Sequence, residues 1–307
     1  MPARLVERFD VQAHRGGSGL SAENTLEAFG AALALGVSTL ECDVHVSRDG
    51  VLVVSHDRDI VSGPHTGRMI HQLTFAQLQT VDVAGLRAAD FPDRPSAEGL
   101  LMPALTDVLD LLHARGADEV GLNVEIKYDA TAPDEGAARD VFVELLVSAV
   151  DGAGLTSRTS VQSFDWGALT RVRRADPAMR LNLLLNPRYL EDVGARPSPW
   201  LDEVRLDDGD DPVDAAAALG FNAVSPIHGR PYRSGIGDPA YRPVVTPALI
   251  EHAHRLGLSV VPYVVDDPAT MGHLVDLGVD GLITDYPDRL REVLAERGEA
   301  LPRAYPA

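Results

Sequence analysis

Two short apolar runs of this chain carry polar residues at alternate positions: Leu40-Glu41-Cys42-Asp43-Val44 and Leu122-Asn123-Val124-Glu125-Ile126-Lys127. Side chains alternate across a β-strand, so Glu41 and Asp43 share one face, Asn123, Glu125 and Lys127 share one face, and Cys42 packs on the other side. Buried together, the acids would repel or take up protons unless a cation held them. Glu41, Asp43 and Glu125 therefore form a candidate hard-oxygen site for one divalent cation, Mg²⁺ or Ca²⁺, with water or substrate completing the shell. The competing arrangement is a buried salt-bridge network without metal. Three carboxylates and one divalent ion sum to −1, and Arg15 and Lys127 bring the total to +1, which suits a singly charged phosphodiester. Lys127 is the only lysine among 27 Lys and Arg residues.

Two imidazoles end similar runs. Val11-Gln12-Ala13-His14-Arg15 leads into the glycine-rich Gly16-Gly17-Ser18-Gly19, and Val51-Leu52-Val53-Val54-Ser55 leads into His56-Asp57, whose carboxylate can orient its neighbour. Imidazole titrates near neutrality, so His14 and His56 are the candidate acid/base pair. His45 shares the parity of Glu41 and Asp43 but lies further along a hairpin, and His252, His254 and His273 fall on helices expected outside a barrel.

A chain of 307 residues, 45% hydrophobic and 24% charged, describes a packed globular protein. Its net charge of −19 argues against nucleic acid or an anionic membrane surface as the main partner. The single cysteine, Cys42, excludes an internal disulfide and any multi-thiolate metal centre. There is no secretory-type leader pattern, and no apolar run approaches the roughly 20 residues that span a bilayer. These features predict a cytoplasmic protein without stable membrane insertion; none of them specifies an oligomeric state.

The elements that must position these residues follow a strand–helix alternation. Strands are expected near 9–14, 38–44, 120–127, 160–164, 180–185, 223–226, 259–264 and 281–284, with 51–55 returning on the second through an Asp49-Gly50 two-residue turn. Helices are expected over 25–35, 105–115, 135–152, 166–174, 213–219, 247–256, 268–277 and 287–296. Asn24 with Glu27 forms a capping-box pattern, Pro247, Pro268 and Pro287 suit first helical positions, and Gly36, Gly257 and Gly278 suit helix ends. Eight strand–helix units predict a single (β/α)8 TIM barrel over 1–307, with polar strand ends converging at its C-terminal rim. Periodicity weakens over about 58–103, read as an insertion with one short helix at 75–79. A second irregular stretch, 227–244, is expected at the same rim, and the acids of 202–214 are read as solvated surface because they lack EF-hand spacing.

The ordered set His14-Arg15-Gly16, Glu23-Asn24-Thr25, Glu41-x-Asp43, His56-Asp57, Glu125-x-Lys127, Gln162-Ser163-Phe164 and Gly281-x-Ile283-Thr284-Asp285-x-Pro287 resembles the glycerophosphodiester phosphodiesterase family over nearly the whole chain. The resemblance implies a barrel with an insertion after the second strand, hydrolysing a small-molecule glycerophosphodiester to glycerol 3-phosphate and an alcohol. It also implies metal ligation by Glu41, Asp43 and Glu125, catalysis by His14 and His56, and phosphate binding by Arg15 and Lys127. Where the family commonly has a tryptophan and then Val-Asn, this chain has Tyr263-Val264-Val265-Asp266; Tyr263 is then expected against the glycerol carbons, and Asp266 introduces a charge. Two alternatives stand beside this reading. One is a phospholipase D-like or C-like phosphodiesterase acting on lysophospholipids or other head groups, for which an apolar rim would be evidence. The other is a non-catalytic phosphate-binding barrel.

Overall fold

The computed structural model describes residues 8–191, 197–207 and 209–306. Its strands are β1 (Asp10–Ala13), β2 (Thr39–Val46), β3 (Leu52–Val54), β4 (Gly121–Ile126), β5 (Thr159–Ser163), β6 (Arg180–Leu185), β7 (Ala223–Pro226), β8 (Gly229–Arg230), β9 (Arg242–Pro243), β10 (Ser259–Val260) and β11 (Gly281–Thr284). The helices are α1 (Leu26–Leu35), α2 (Phe75–Leu78), α3 (Leu105–Ala114), α4 (Arg139–Gly152), α5 (Trp166–Ala175), α6 (Pro212–Ala218), α7 (Pro247–Arg255), α8 (Pro268–Leu277) and α9 (Pro287–Glu296). Eight strands run parallel in the order β10-β7-β6-β5-β4-β2-β1-β11. Backbone bonds from Asp280 N to Val260 O (2.9 Å) and from Ile283 N to Pro262 O (3.0 Å) join the two ends, giving the expected (β/α)8 barrel.

The outward strand residues, such as Val11, Leu40, Cys42, Val124 and Leu183, are buried in one apolar layer beneath the helices. The inward row is polar. Asn123 Nδ2 donates to Gln12 Oε1 (2.9 Å) and Gln162 Oε1 (2.8 Å), and Asn182 Nδ2 donates to Ser225 Oγ (2.8 Å). Burial of such groups is tolerable because each finds a partner across the barrel.

Local differences from the expected elements have identifiable causes. β10 ends at Val260 because Pro262 has no N–H for the ladder. α1 is capped by Thr25, whose side chain accepts from Ala28 N, and not by Asn24, which sits at φ 56. α4 starts at Arg139 because Gly136 adopts φ 79. β2 and β3 do form the hairpin, but through a three-residue turn: Ser47 N bonds Val51 O and Gly50 N bonds Ser47 O. Only Gly50 then needs a positive φ (81°), whereas a two-residue type I′ turn would require one at Asp49 as well. Among the acids read as solvated surface, Asp202 is instead held by Arg139 (3.1 Å) and Arg171 (2.5 Å); Asp208 lies outside the described residues.

Between β3 and α3 the chain builds a satellite around its own apolar cluster, including Ile60, Ile70, Leu73, Leu78 and Met102. Arg94 ties this satellite to the barrel mouth by donating to Leu86 O (2.6 Å) and Ser18 O (3.3 Å). Over 227–244 the chain forms only the two-residue strands β8 and β9.

Candidate active site

The parallel register of β2 and β4 sets Asp43 beside Glu125 and Glu41 beside Asn123. Glu41, Asp43 and Glu125 are buried, and ligand atoms of all three lie within 4.8 Å of one another. Burial, then the charges of Asp43 and Glu125, push the Glu41 carboxyl well above its ordinary range. Glu125 is raised to about 7, chiefly by burial. Asp43 goes the other way: burial opposes ionisation, but Lys127 and Arg15 hold it well below the usual range. Lys127 Nζ stands 3.0 Å from Asp43 Oδ1 and 2.8 Å from Glu125 Oε1, yet Asp43 Oδ1 is buried without an aligned hydrogen bond. Three converging carboxylates, two of them destabilised as anions and one with an unsatisfied oxygen, fit a hard divalent cation. A second group, Asp211, Asp214 and His252, is also within reach of one ion but is more exposed, at the start of α6 and on α7.

At the end of β1 the chain tightens into a single helical turn, with Arg15 at φ 52. This aims the Arg15 N–H at Glu41 Oε2 (2.8 Å) and its guanidinium at Glu23 (3.0 and 3.2 Å) and Asp43 (3.1 Å). Glu23 is an anion that the sequence-based charge count omits. Asn24 donates to Asp43 Oδ2 (2.9 Å), and Gln162 donates to Glu41 Oε1 (2.7 Å). His14 Nδ1 meets Asp285 Oδ1 at 2.5 Å, and His56 Nδ1 meets Asp57 Oδ1 at 2.6 Å. Burial, reinforced by Arg15, lowers the His14 pKa, and burial followed by Lys127 lowers that of His56 to about 3. His45 spends Nε2 on the His56 carbonyl (3.0 Å) and takes no place in the cavity wall.

His14, Arg15, Glu41, His56, Glu125, Lys127 and Tyr263 all border one cavity of about 300 Å³, and Asp43 is buried against Arg15 and Lys127. Its far wall is aromatic, with Phe164 stacked on Tyr189 (4.2 Å between centroids) and edge-on to Tyr263 (6.0 Å). The buried Tyr263 hydroxyl lacks an aligned hydrogen-bond partner, although the Asn186 amide is near. Asp266 does not border the cavity; it accepts from Asp285 N (2.9 Å) and Thr284 Oγ1 (3.2 Å), bracing the turn that carries Asp285. Residue type and spacing alone give no role to Asp285, Arg87 or Arg233. Asp285 shares the strand-end signal of the other site residues, whereas the two arginines lie in segments without periodicity.

A parallel (β/α)8 barrel with carboxylates, imidazoles and cationic side chains gathered around one cavity at its C-terminal rim defines a class, the TIM-barrel enzymes. Within that class the chain belongs to the glycerophosphoryl diester phosphodiesterase family, whose model matches residues 14–289. It is an enzyme, a hydrolase by family. A glycerophosphodiester phosphodiesterase of Caldanaerobacter subterraneus subsp. tengcongensis is 27% identical over 94% of this chain and 98% of its own. One of Bacillus subtilis (strain 168) is 24% identical over 94% and 87%. A Silicibacter pomeroyi DSS-3 protein bearing the same family name superposes with a TM-score of 0.78, at 30% identity over 95% of each chain. An Oleispira antarctica phosphodiesterase solved with the product sn-glycerol-3-phosphate shares the fold at TM-score 0.69 and 19% identity, over 93% and 96%. Among the described residues no helix is long and apolar enough to cross a membrane.

Proposed function

We propose that this protein hydrolyses glycerophosphodiesters to glycerol 3-phosphate and an alcohol, with a divalent cation, Mg²⁺ or Ca²⁺, held by Glu41, Asp43 and Glu125. The observation that carries this reading is the convergence of both imidazoles on the cavity that Glu41 and Glu125 border. The family membership and the product-bound Oleispira antarctica relative support it. A cation bound there would neutralise charge on the nonbridging phosphate oxygens. Arg15 and Lys127, fixed in place by carboxylates, orient the phosphate and stabilise the charge that develops during displacement. One histidine takes a proton from the attacking oxygen, and the other gives a proton to the departing alkoxide. Tyr263 packs its ring on the glycerol carbons and, with the Asn186 amide beside its hydroxyl, turns that hydroxyl to a glycerol oxygen. Residues 58–103 act as part of the same catalytic unit, which Arg94 ties together.

Product analysis over a panel of glycerophosphodiesters tests this. Glycerol 3-phosphate should be released, release should stop with chelator, and Mg²⁺ or Ca²⁺ should restore it; no release from any member contradicts the reading. Tyr232, exposed on the loop over 227–244, puts an aromatic ring at the cavity edge. A lysophospholipid therefore belongs in the panel, and faster turnover of it would move the assignment to the phospholipase-like alternative.

A further inference from the structure

We propose that Arg87 and Arg233 are positioning residues, each a guanidinium brought by an irregular segment to the carboxylate behind one of the two imidazoles. This rests on the reading of His14 and His56 as the proton-transfer pair. Arg233 Nη2 lies 2.5 Å from Asp285 Oδ2, while His14 Nδ1 takes the other oxygen of the same carboxylate. Arg87 Nη2 lies 2.7 Å from Asp57 Oδ1, the oxygen that His56 Nδ1 meets at 2.6 Å; Nη2 also comes within 3.1 Å of Nδ1, and the two shorter contacts make both nitrogens donors that share this one oxygen. Two separate parts of the chain thus each bring a guanidinium to the carboxylate that meets an imidazole Nδ1, from behind at Asp285 and beside the ring at Asp57.

The order has a chemical consequence. A carboxylate paired with a guanidinium stays ionised and can only accept hydrogen bonds. Each histidine must then keep a proton on Nδ1, leaving Nε2 as the ring nitrogen that takes or gives the transferred proton. An imidazole without that constraint would divide between two tautomers, one of them presenting the wrong nitrogen.

Ordinary surface ion pairs contribute little, so what separates these two is how they are held. The Arg233 guanidinium lies over the Phe91 ring at 5.6 Å, and Arg94 lies over the same ring at 5.6 Å. Phe91 thereby joins the segment 58–103 to the loop over 227–244 beside His14. Arg87 is braced from two sides. Its Nε stands 3.4 Å from Glu23, the partner of Arg15, and the carbonyl of the preceding Leu86 accepts from Arg94 at 2.6 Å. Both arginines adopt left-handed backbone conformations, φ 52 at Arg87 and φ 64 at Arg233, which non-glycine residues take at a cost and only where surrounding contacts impose it.

The test is steady-state kinetics of Arg87→Met, Arg87→Lys, Arg233→Met and Arg233→Lys on glycerophosphocholine with Mg²⁺, paired with ¹⁵N-histidine NMR of the same proteins. Each Met variant should lose about 10- to 100-fold in kcat with KM held within about threefold, as for loss of an outer-shell partner. Each Lys variant should recover part of that loss. The spectra should show His14 and His56 as Nδ1–H in the wild type, with a mixture appearing at the affected histidine in each Met variant. Wild-type kcat in the Met variants, a rise in KM alone, or unchanged tautomers would overturn the proposal. Should a Met variant not fold, the wild-type spectrum still decides, because a neutral ring protonated at Nε2 and bare at Nδ1, at either histidine, contradicts it. His14→Ala and His56→Ala separate this outcome from failure of the parent reading: if they retain wild-type kcat, the proton-transfer assignment itself is wrong.

Discussion

His14 and Asp285 stand 271 residues apart in the chain and meet because β1 and β11 are neighbours in the closed barrel; their side chains are 9% and 0% exposed. His56 and Asp57 are adjacent in sequence, follow the short strand β3 outside the eight-strand ring, and are 27% and 37% exposed. The first pair is as rigid as the barrel itself. The second depends for its order on the segment 58–103, through Arg87. A buried carboxylate that loses its partner has nothing to replace it, whereas water reaches an exposed one. The two pairs should therefore respond unequally to the same substitution.

The largest effects come from removing the imidazoles. His14→Ala and His56→Ala should each lower kcat by roughly 10²- to 10⁴-fold with circular dichroism unchanged, and full activity in either would remove that pair from the chemistry. Asp285→Asn should lower kcat/KM on the order of 10³-fold, because an amide can impose the wrong imidazole tautomer. Asp57→Asn should cost on the order of 10²-fold, less than Asp285→Asn because water can reach the more exposed pair and accept from the His56 Nδ1–H. Equal losses at the two positions would abolish the distinction between rigid and dependent pairs.

Lys127→Arg sharpens the His56 side, where the Lys127 charge follows burial as the main cause of the low imidazole pKa. A planar guanidinium cannot occupy the compact position between Asp43 and Glu125, and activity should fall on the order of tenfold. An unchanged rate would show that the solitary lysine is dispensable as lysine. The smallest effect is on acid stability. Despite burial, His14 and Arg233 hold Asp285 at about 2, below its unfolded value, so this carboxylate stabilises the fold above about pH 4 and that contribution disappears as pH falls through about 2. Thermal melting of Asp285→Asn should depend less on pH across that window than melting of the wild type.

The barrel, and the gathering of these side chains at one rim, were legible in the sequence because one rule serves both. A parallel strand covered by helices needs an apolar outer row, so alternate polar residues at Glu41, Asp43, Glu125 and Lys127 must face inward. Alternation does not give register, however, and the pairing of Asp43 with Glu125 emerges only from the barrel. Asn24 and Thr25 show how adjacent polar residues mislead: both suit a helix cap, but the φ of 56 at Asn24 turns its amide to Asp43 and leaves the cap to Thr25. Asp285 ends β11 as the other site residues end their strands, yet a single carboxylate carries no indication of its partner. Arg87 and Arg233 were illegible for a different reason. They lie where no period of 2 or 3.6 says which way a side chain points.

The proposed chemistry turns on acids from β2 and β4 holding one divalent ion within reach of both imidazoles. Anomalous diffraction from crystals soaked in Mn²⁺ tests it most directly. A single strong peak should appear at about 2.0–2.6 Å from carboxylate oxygens of Glu41, Asp43 and Glu125. No peak there, or a peak only at Asp211, Asp214 and His252, would contradict it.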